Sequence, residues 1–413
     1  MMMVVQAPSL GGSAEPRGSR GGLPHLPSGG DAAPSIDVLI PAFNAAHTIR
    51  QAVESIQGQT VCDIVIHVVD DGSSDATPLI LAELAANDAR IRIHRKANGG
   101  IVDALNYGLK FCTAALIARH DADDIAYPDR LAVQASYLAD RPDVLAVGSA
   151  VRHVDEAGIP TNSIARLDPP ECADLFAVPA REPYLIHPFL MVRRAAVEAV
   201  GGYRHAHHAE DTDLYWRLLE RGKLHNLDDV LGDYRMHGNS ISGASIVNGR
   251  VMAIGSQLAS FSARRRRVGK EDLPFRSSQL AELQKAGSLE AMVAIAAEPL
   301  DAAERPLFAE AVAAKLLELA SYRPYELERS DCRFVRMVAD RGFAHLAADS
   351  RALQIRRVTG AGARIAAAGR PADALLLVPR RLFLPLVMRW LFRQRCFTIV
   401  RRHVARARNA PVK

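Results

Sequence analysis

The sequence has few cysteines, and they are scattered. Five occur in 413 residues, with no C-x-x-C arrangement: Cys62, Cys112, Cys172, Cys332 and Cys396. An odd, dispersed set of this kind is typical of reduced thiols in a cytosolic protein, and it argues against both a disulfide framework and a structural zinc site.

Long apolar runs are also missing. No stretch of about 18 uncharged apolar residues occurs, so we expect no membrane-spanning helix. Residues 1–34 are rich in Gly, Pro and Ser and lack the apolar core of a signal peptide, so we predict that they are disordered. These absences favour a cytoplasmic protein.

Neither sign of charge dominates the chain. Lys and Arg number 51 against 46 Asp and Glu, which gives a formal net charge of +5 and a sequence pI near 9.0. This excess is too small to indicate a nucleic-acid partner, and we expect none. Hydrophobic residues make up 49% of the chain, enough to fill a sizeable core in two domains.

From Ser35 onward, short apolar strands alternate with helical patterns. The strands are "IDVLIPAF", "DIVIHVVDD", "RIRIHRK" and "AALIARH". This alternation predicts βαβ units and therefore an α/β fold, with a mostly parallel central sheet flanked by helices. Ligands of such sheets bind beyond the carboxyl ends of the strands. Polar residues follow three strands at that edge: Asn44, Asp70-Asp71 and Asp121-Asp123.

The alternation stops near Arg250. Residues 251–275 contain "ARRRRVGKEDLP", which we predict to be a basic, exposed linker. Ala-, Leu- and Glu-rich helical patterns follow it. We therefore assign residues 35–250 to an α/β domain and residues 276–413 to an α-helical C-terminal region with a basic amphipathic tail.

The stretch "ARHDADDIAYPDR" places Asp121, Asp123 and Asp124 within four positions after a buried strand. Like charges at ~4 Å repel by about 1 kcal/mol in water and by more where water is scarce, so a positive partner is expected. Residues two apart in an extended segment point to the same side, which places Asp121 beside Asp123. Such oxygen ligands suit Mg²⁺ or Mn²⁺. The alternative is a solvated turn.

Four further motifs have two interpretations each. Phe43 in "PAFNA" suits stacking on a base or core packing, and Asp71 in "VVDDGSSD" suits hydrogen bonding to a nucleotide or a solvated turn. Glu210 and Asp211 precede an amphipathic helix, where acids serve as a general base or simply stabilise the helix N-terminus. His237 in "YRMHGNSIS" suits a metal shell, although a lone histidine is more often a surface or core residue.

Taken in order, these motifs resemble the inverting glycosyltransferases of family 2, which have the GT-A fold. The matching stretches span roughly residues 35–243: "VLIPAFNAAHTIRQAVESIQGQT", "IHVVDDGSSDAT", "KANGGIVDALNYGL", "ARHDADDIAYPDRL", "IHPFLMVRRAAVEAVGGYR", "AEDTDLYWRLLERG" and "YRMHGNSIS". No single motif is decisive. Their order and spacing carry the resemblance.

The resemblance implies a donor site and its cofactor. Asp123 is similar to the metal-binding aspartate of the D-x-D motif, with Asp121 on its ribose or metal side, and Mn²⁺ or Mg²⁺ is the implied ion. Asp71 matches the acid that pairs with the base, on which Phe43 would stack. The implied nucleotide-binding residues are Pro41, Phe43, Asp71, Asn98, Gly99 and Asp121.

The resemblance also implies the catalytic residues. Asp211 matches the base of the E-D motif, and Glu210 would orient the acceptor or the sugar. His237 matches a histidine that joins the metal or the diphosphate in some members. His187 lies in the segment that lines the acceptor side.

The implied reaction is transfer of one sugar from a nucleotide-diphosphate sugar, by resemblance a UDP-sugar, to a glycan or lipid-linked acceptor in cell-surface polysaccharide or lipopolysaccharide-type biosynthesis. Processive synthases carry Q-x-x-R-W, whereas here Leu386, immediately before "VMRWLF", stands in place of the Gln. The alternatives are a non-catalytic module that binds sugar nucleotides or glycans, and a sugar nucleotidyltransferase. The intact acids disfavour the first, and "PAFNAAHTI" lacks the Gly-rich basic loop of the second.

The tail from Arg380 to Arg408 interleaves arginines with Leu, Phe and Trp390. It suits either an anionic bilayer surface or a buried terminal helix, and Pro379 and Pro385 interrupt any single long helix. Because acceptors of such enzymes are often lipid-linked, we favour peripheral contact with the inner face of the cell membrane.

Overall fold

A computed structural model describes residues 36–236, 245–341 and 348–389. The predicted disordered segment, residues 1–34, lies outside the described residues. So do His237 and the tail from Trp390 onward. Within the described ranges, no helix combines the length and the apolarity needed to cross a bilayer.

Four parallel strands form the N-terminal half of the central sheet, in the order β3-β2-β1-β4. They are β1 (Ile36–Ala42), β2 (Ile64–Asp70), β3 (Ile91–Arg95) and β4 (Leu116–Arg119). The crossover helices are α1 (Ile49–Gln57), α2 (Thr77–Asn87) and α3 (Ile101–Leu109). The predicted βαβ units are therefore confirmed.

The second half of the sheet is mixed. Its strands are β5 (Ile125–Ala126), β6 (Val144–Val154), β7 (Pro160–Ala165), β8 (Met191–Arg193) and β9 (Lys223–Arg235). β8 pairs antiparallel with β4 and β6, β6 pairs parallel with β9, and β5 and β7 add antiparallel edges. Parallel pairing is thus confined to β1–β4 and to the β6–β9 pair. The accompanying helices are α4 (Arg130–Asp140), α5 (Arg194–Ala199) and α6 (Glu210–Leu219), with 3₁₀ turns at Pro170–Cys172 and His187–Phe189.

Helices cover both faces of the sheet, which explains why its strands are so uniformly apolar. Successive residues of a strand point to opposite faces. In β1, Val38 and Ile40 pack into one buried cluster with α1, α2 and α4, whereas Leu39 packs into a second cluster with α3, α5 and α6. A strand buried on both faces reads as a continuous hydrophobic run rather than an alternating one.

The C-terminal region is helical and has its own hydrophobic core. Its helices are α7 (Ile246–Arg267), α8 (Gln279–Lys285), α9 (Leu289–Ala296), α10 (Glu304–Tyr322), α11 (Arg329–Arg341), α12 (Ala348–Ala367) and α13 (Pro371–Leu377), followed by a 3₁₀ turn at Arg380–Leu382. Helix α7 also packs against α6 of the α/β part. The two parts also share a small buried cluster, in which Trp216 of α6 packs with Ala259 and Ala263 of α7.

The prediction of an exposed linker at residues 251–275 was wrong for most of its length. Residues 251–267 belong to α7, and the arginine run forms the last turn of that helix, where cations are favoured by the helix dipole. Arg264 Nε donates to the carbonyl of Leu175 at 2.5 Å, and Arg266 pairs with Glu220. A run of charged residues was therefore not a sign of an exposed linker, because the guanidiniums of Arg264 and Arg266 bind a carbonyl and a carboxylate of neighbouring elements.

Candidate active site

The loops after β1 and β2 are tied together at the carboxyl edge of the sheet. The backbone N–H of Asn44 donates to Ser73 Oγ at 2.9 Å, and the N–H of Ser74 donates to Asn44 Oδ1 at 2.9 Å. Pro41 is buried within β1, whereas the ring of Phe43 is 52% exposed at the strand end. An aromatic ring held at a fixed backbone and left half open provides a surface for a planar group.

Asp71 organises the loop at residues 96–100. Its carboxylate accepts from Lys96 Nζ at 2.7 Å and from the backbone N–H groups of Gly99 and Gly100 at 3.0 and 2.8 Å. Asn98 Nδ2 donates to the Asp71 carbonyl at 3.0 Å. The structure therefore brings together Asp71, Asn98 and Gly99, and the Asp71 carboxylate accepts its hydrogen bonds from donors of the protein itself.

The loop after β2 packs closely on residues 96–100, which explains why residue 72 is a glycine. Gly72 has φ +78°, a left-handed conformation, and an added Cβ would lie 2.8 Å from the backbone N of Asn98. A side chain there would push the 96–100 loop away from Asp71. The glycine of "DDGS" is thus required by the packing of one loop on the other.

Asp121, Asp123 and Asp124 form an aspartate cluster at the carboxyl end of β4. One carboxylate oxygen of each lies within 4.8 Å of the others, close enough for a single cation. Residues 122–123 form a turn rather than the extended segment expected from the sequence, and the turn brings in Asp124 as a third carboxylate. Asp121 also forms an ion pair with Arg119.

Asp124 is the buried member of the aspartate cluster. Its Oδ1 accepts the backbone N–H of Arg235 at 2.8 Å, and its Oδ2 has no hydrogen-bond partner among the described residues. Burial raises the pKa of Asp124 well above its usual range, and the charges of Asp121 and Asp123 add to this. Three hard oxygens with one unsatisfied buried atom fit a divalent cation of the Mg²⁺ or Mn²⁺ type.

Glu210 and Asp211, the acidic pair, begin helix α6. Asp211 Oδ1 accepts the N–H of Thr212 at 2.7 Å, while Glu210 Oε2 is buried without a hydrogen-bond partner in the part of the chain that is described. Burial and the charge of Asp211 raise the pKa of Glu210 to about 7. Burial also raises the pKa of Asp211, against the opposing effects of the Thr212 N–H and of Arg119. The pair can therefore hold a proton near neutral pH.

Arg119 was missed from the sequence, and it links the two groups of acids. This buried guanidinium at the end of β4 pairs with Asp121, and its charge lowers the pKa of both Glu210 and Asp211. Its Nε and Nη1 have no hydrogen-bond partner within residues 36–236, 245–341 and 348–389. The available signal was an arginine that ends an apolar strand immediately before "HDADD". A buried cation in such a place requires nearby acids.

His187 lies on a 3₁₀ turn beside the acidic pair's helix. Its Nε2 is 2.8 Å from Tyr203 Oη, and its ring meets that of Tyr215 in α6 edge-on. Burial, with a further effect from Arg119, holds the pKa of His187 well below its usual value. The imidazole is therefore neutral, and it is suited to hydrogen bonding rather than to carrying charge. His237, the other predicted histidine, lies outside the described residues.

Known proteins match the same part of the chain. The pattern of the family described as "Glycosyl transferase family 2" matches residues 37–201. The amylovoran biosynthesis glycosyltransferase AmsE of Erwinia amylovora is 31% identical over 52% of this chain and 78% of its own length. The chain belongs to glycosyltransferase family 2. Its mixed sheet with flanking helices is the predicted GT-A type of fold.

Two other relatives show how far the similarity reaches. The O-antigen biosynthesis glycosyltransferase WbnJ of Escherichia coli is 28% identical over 50% of this chain and 81% of its own length. The chondroitin synthase of Pasteurella multocida (strain Pm70) is 29% identical over 51% of this chain. The matched part spans only 21% of that synthase. About half of this family 2 chain therefore lies outside each of these matches.

Proposed function

We propose that this glycosyltransferase transfers one sugar from a nucleotide-diphosphate sugar, a UDP-sugar in the first instance, to a hydroxyl of a glycan or lipid-linked acceptor, with inversion and with the assistance of Mn²⁺ or Mg²⁺. The observation that carries the proposal is the arrangement of the aspartate cluster and the acidic pair around one buried guanidinium, that of Arg119. Relatives named for amylovoran and O-antigen biosynthesis support a place in cell-surface polysaccharide or lipopolysaccharide-type synthesis.

The proposed donor site runs along the carboxyl edge of the first strands. Phe43 stacks on the base, and Pro41 and the Asp71 loop with Asn98 and Gly99 line the pocket. The half-exposed ring of Phe43 and the tight tie between Asp71 and residues 96–100 support this placement. Asp71 then acts either directly on the base or by holding the loop that closes over it.

The proposed metal ligands are Asp123 and Asp121, with Asp124 as a third carboxylate. His237 is retained as a further candidate. A divalent ion bound there supplies positive charge to the diphosphate as it leaves. Two observations support this assignment: Oδ2 of Asp124 has no hydrogen-bond partner among the described residues, and the three carboxylates lie close together.

The proposed chemistry at the acidic pair is general base catalysis. Asp211 takes the proton of the acceptor hydroxyl, whose oxygen forms a bond to the anomeric carbon while the bond from that carbon to the diphosphate breaks on the opposite face. A single displacement inverts the anomeric centre. Glu210, with its pKa raised to about 7, holds a proton for part of the population and orients the acceptor or the sugar. Arg119 opposes the rise in the pKa of Asp211 that burial causes.

We also propose that the protein acts at the inner face of the cell membrane. Leu384 and Met388, both largely exposed, lie in the helical residues 383–389 that lead into the arginine-rich tail. Apolar side chains followed by arginines suit an anionic bilayer surface. Flotation with phosphatidylglycerol vesicles tests this contact. Unchanged flotation after removal of the tail would contradict it.

Calorimetric titration with UDP, dTDP and GDP, each with and without Mn²⁺, tests the proposed function. We expect one nucleotide to bind in a metal-dependent way and its sugar to be turned over, followed as nucleoside diphosphate release from UDP-glucose, UDP-N-acetylglucosamine, dTDP-glucose or GDP-mannose. Binding without any release, with water or a glycan as acceptor, would favour a non-catalytic binding module. Release of pyrophosphate from UTP and a sugar phosphate would favour a nucleotidyltransferase.

A further inference from the structure

The helical C-terminal region holds one segment of the α/β part in place. Residues 174–186 run from the end of the β7 connection to His187, and two C-terminal helices, α7 and α12, bind their backbone. Gln257 of α7 accepts the N–H of Ala180 at 3.1 Å, and Gln354 of α12 donates to the carbonyl of Val178 at 3.1 Å. Arg264 of α7 donates to carbonyls of the same segment. The chain that leads to His187 is thus fixed from the C-terminal side.

A buried ion pair lies within this contact. Lys315, in the middle of α10, and Glu182 both have side chains only 1% exposed, and Lys315 Nζ lies 2.5 Å from Glu182 Oε2. Lys315 also donates to Tyr184 Oη at 3.2 Å and to Glu318 at 2.9 Å. Gln257 donates to the other oxygen of Glu182 at 3.3 Å. Breaking one partner of such a pair leaves an uncompensated buried charge.

Glu182 lies five residues before His187, and the His187 ring meets that of Tyr215 in α6, the helix that the acidic pair begins. The negative charge of Glu182 also raises the pKa of Asp211. The other groups that face Asp211 are Arg119 of β4, which lowers the pKa of Asp211, its neighbour Glu210, and the phenols Tyr203 and Tyr215. Lys315 is the cation that compensates Glu182. A charge from the C-terminal region therefore offsets part of the negative potential at the acidic pair.

We propose that the C-terminal helical region contributes to the transferase site: Lys315 compensates the charge of Glu182, which acts on the acidic pair, and Gln257, Arg264 and Gln354 fix the segment that leads to His187. Lys315 is a positioning residue, since it reaches the reacting groups through Glu182. The inference rests on the proposed role of Asp211 as the base.

The test measures kcat/KM against pH for the full-length protein, as nucleoside diphosphate release from the sugar nucleotide that it turns over. In Lys315→Met the unpaired Glu182 raises the pKa of Asp211, so the acid limb should move up by about one pH unit, with loss of roughly 10-fold in rate on that limb. In Glu182→Gln, which leaves Lys315 with Glu318, the limb should move down. The double variant Glu182→Gln with Lys315→Met should return to the parent profile. A purely structural contact would not produce opposite shifts.

Arg250→Met is the matched control. It removes another buried cation of the same region, paired with Asp331 and Glu328, and should leave the pH profile in place. Thermal unfolding and metal-dependent nucleotide titration establish that each variant is folded. If Lys315→Met does not fold, the inference is tested by Glu182→Gln alone, whose acid limb should still move down. Unshifted profiles, or shifts of the same sign, would overturn the inference.

Asp211→Asn, assayed alongside, separates this inference from the proposed function. Full transfer by Asp211→Asn would overturn the proposed base and with it the electrostatic role of Lys315. Loss of transfer in Asp211→Asn together with an unshifted Lys315→Met profile would overturn only the role of the C-terminal region.

Discussion

The aspartate cluster and the acidic pair share Arg119 as a neighbour, but they are compensated in different ways. The cluster has three carboxylates within 4.8 Å of one another and one ion pair to Arg119. The acidic pair meets the charge of Arg119 together with a backbone N–H from its own helix. Under the proposed function, the first arrangement binds an added cation, whereas in the second burial raises the pKa of Glu210 to about 7. The difference separates a site for binding charge from a site for moving a proton.

Among the predicted effects, the largest is that of Asp211→Asn, which alters the acidic pair. Removal of a general base typically costs about 10²–10⁴-fold in rate, so kcat should fall by that amount while metal-dependent nucleotide affinity stays within about 2-fold. Steady-state assays with calorimetric titration measure both. Asp140→Asn, at an exposed position of α4, is the control. Joint loss of turnover and nucleotide binding would remove the distinction between the two acidic groups.

Asp123→Ala tests the aspartate cluster as the proposed metal site. We expect metal-dependent nucleotide affinity to fall at least about 10-fold, since one of few charged ligands is lost, while binding measured in EDTA stays unchanged. Titration with and without Mn²⁺ measures the effect. Asp129→Ala, which alters an exposed carboxylate at the start of α4, serves as the comparison. Equal loss in Mn²⁺ and in EDTA would indicate a structural role for Asp123 instead.

Arg119→Met tests whether one cation serves both groups. Without it the pKa of Glu210 and Asp211 should rise, so the acid limb of kcat/KM moves up by about one pH unit. Arg119→Lys keeps the charge and should hold the limb near its parent position, although the two substitutions remove the same hydrogen-bond geometry. The pH–rate profile distinguishes them. An identical shift in both variants would assign Arg119 a purely geometric role.

Glu210→Gln gives the smallest effect, on stability. The folded-state pKa of Glu210 is raised to about 7 from an ordinary value of 4.5, so its proton stabilises the folded protein fully below pH 4.5, and this stability is lost as pH rises through 7. A permanently neutral Gln avoids that loss. We expect Glu210→Gln to be more stable than the parent by roughly 1–2 kcal/mol at pH 8, with no difference near pH 4.5. Thermal unfolding at the two pH values measures it, and a pH-independent difference would contradict the raised pKa.

The order of elements was predictable from the sequence because its signals are local. Apolar runs and helical spacing over fewer than twenty residues predicted β1 to β4 and their crossover helices, and the edge at which the polar turns meet follows from parallel pairing. Candidate site residues such as Asp123 and Asp211 were also found locally, by motifs that precede or follow a strand or a helix.

The charge arrangement was decided only by the tertiary structure. A turn at residues 122–123 adds Asp124 to the aspartate cluster, and the arginine run expected to be a linker ends a buried helix. Lys315 meets Glu182 across 133 residues, a pairing that no local pattern records. Periodicity reports which side chains avoid water, but it does not report which buried charge meets which other. The pairing of buried charges is set by the packing of distant elements, as in the pair of Lys315 and Glu182.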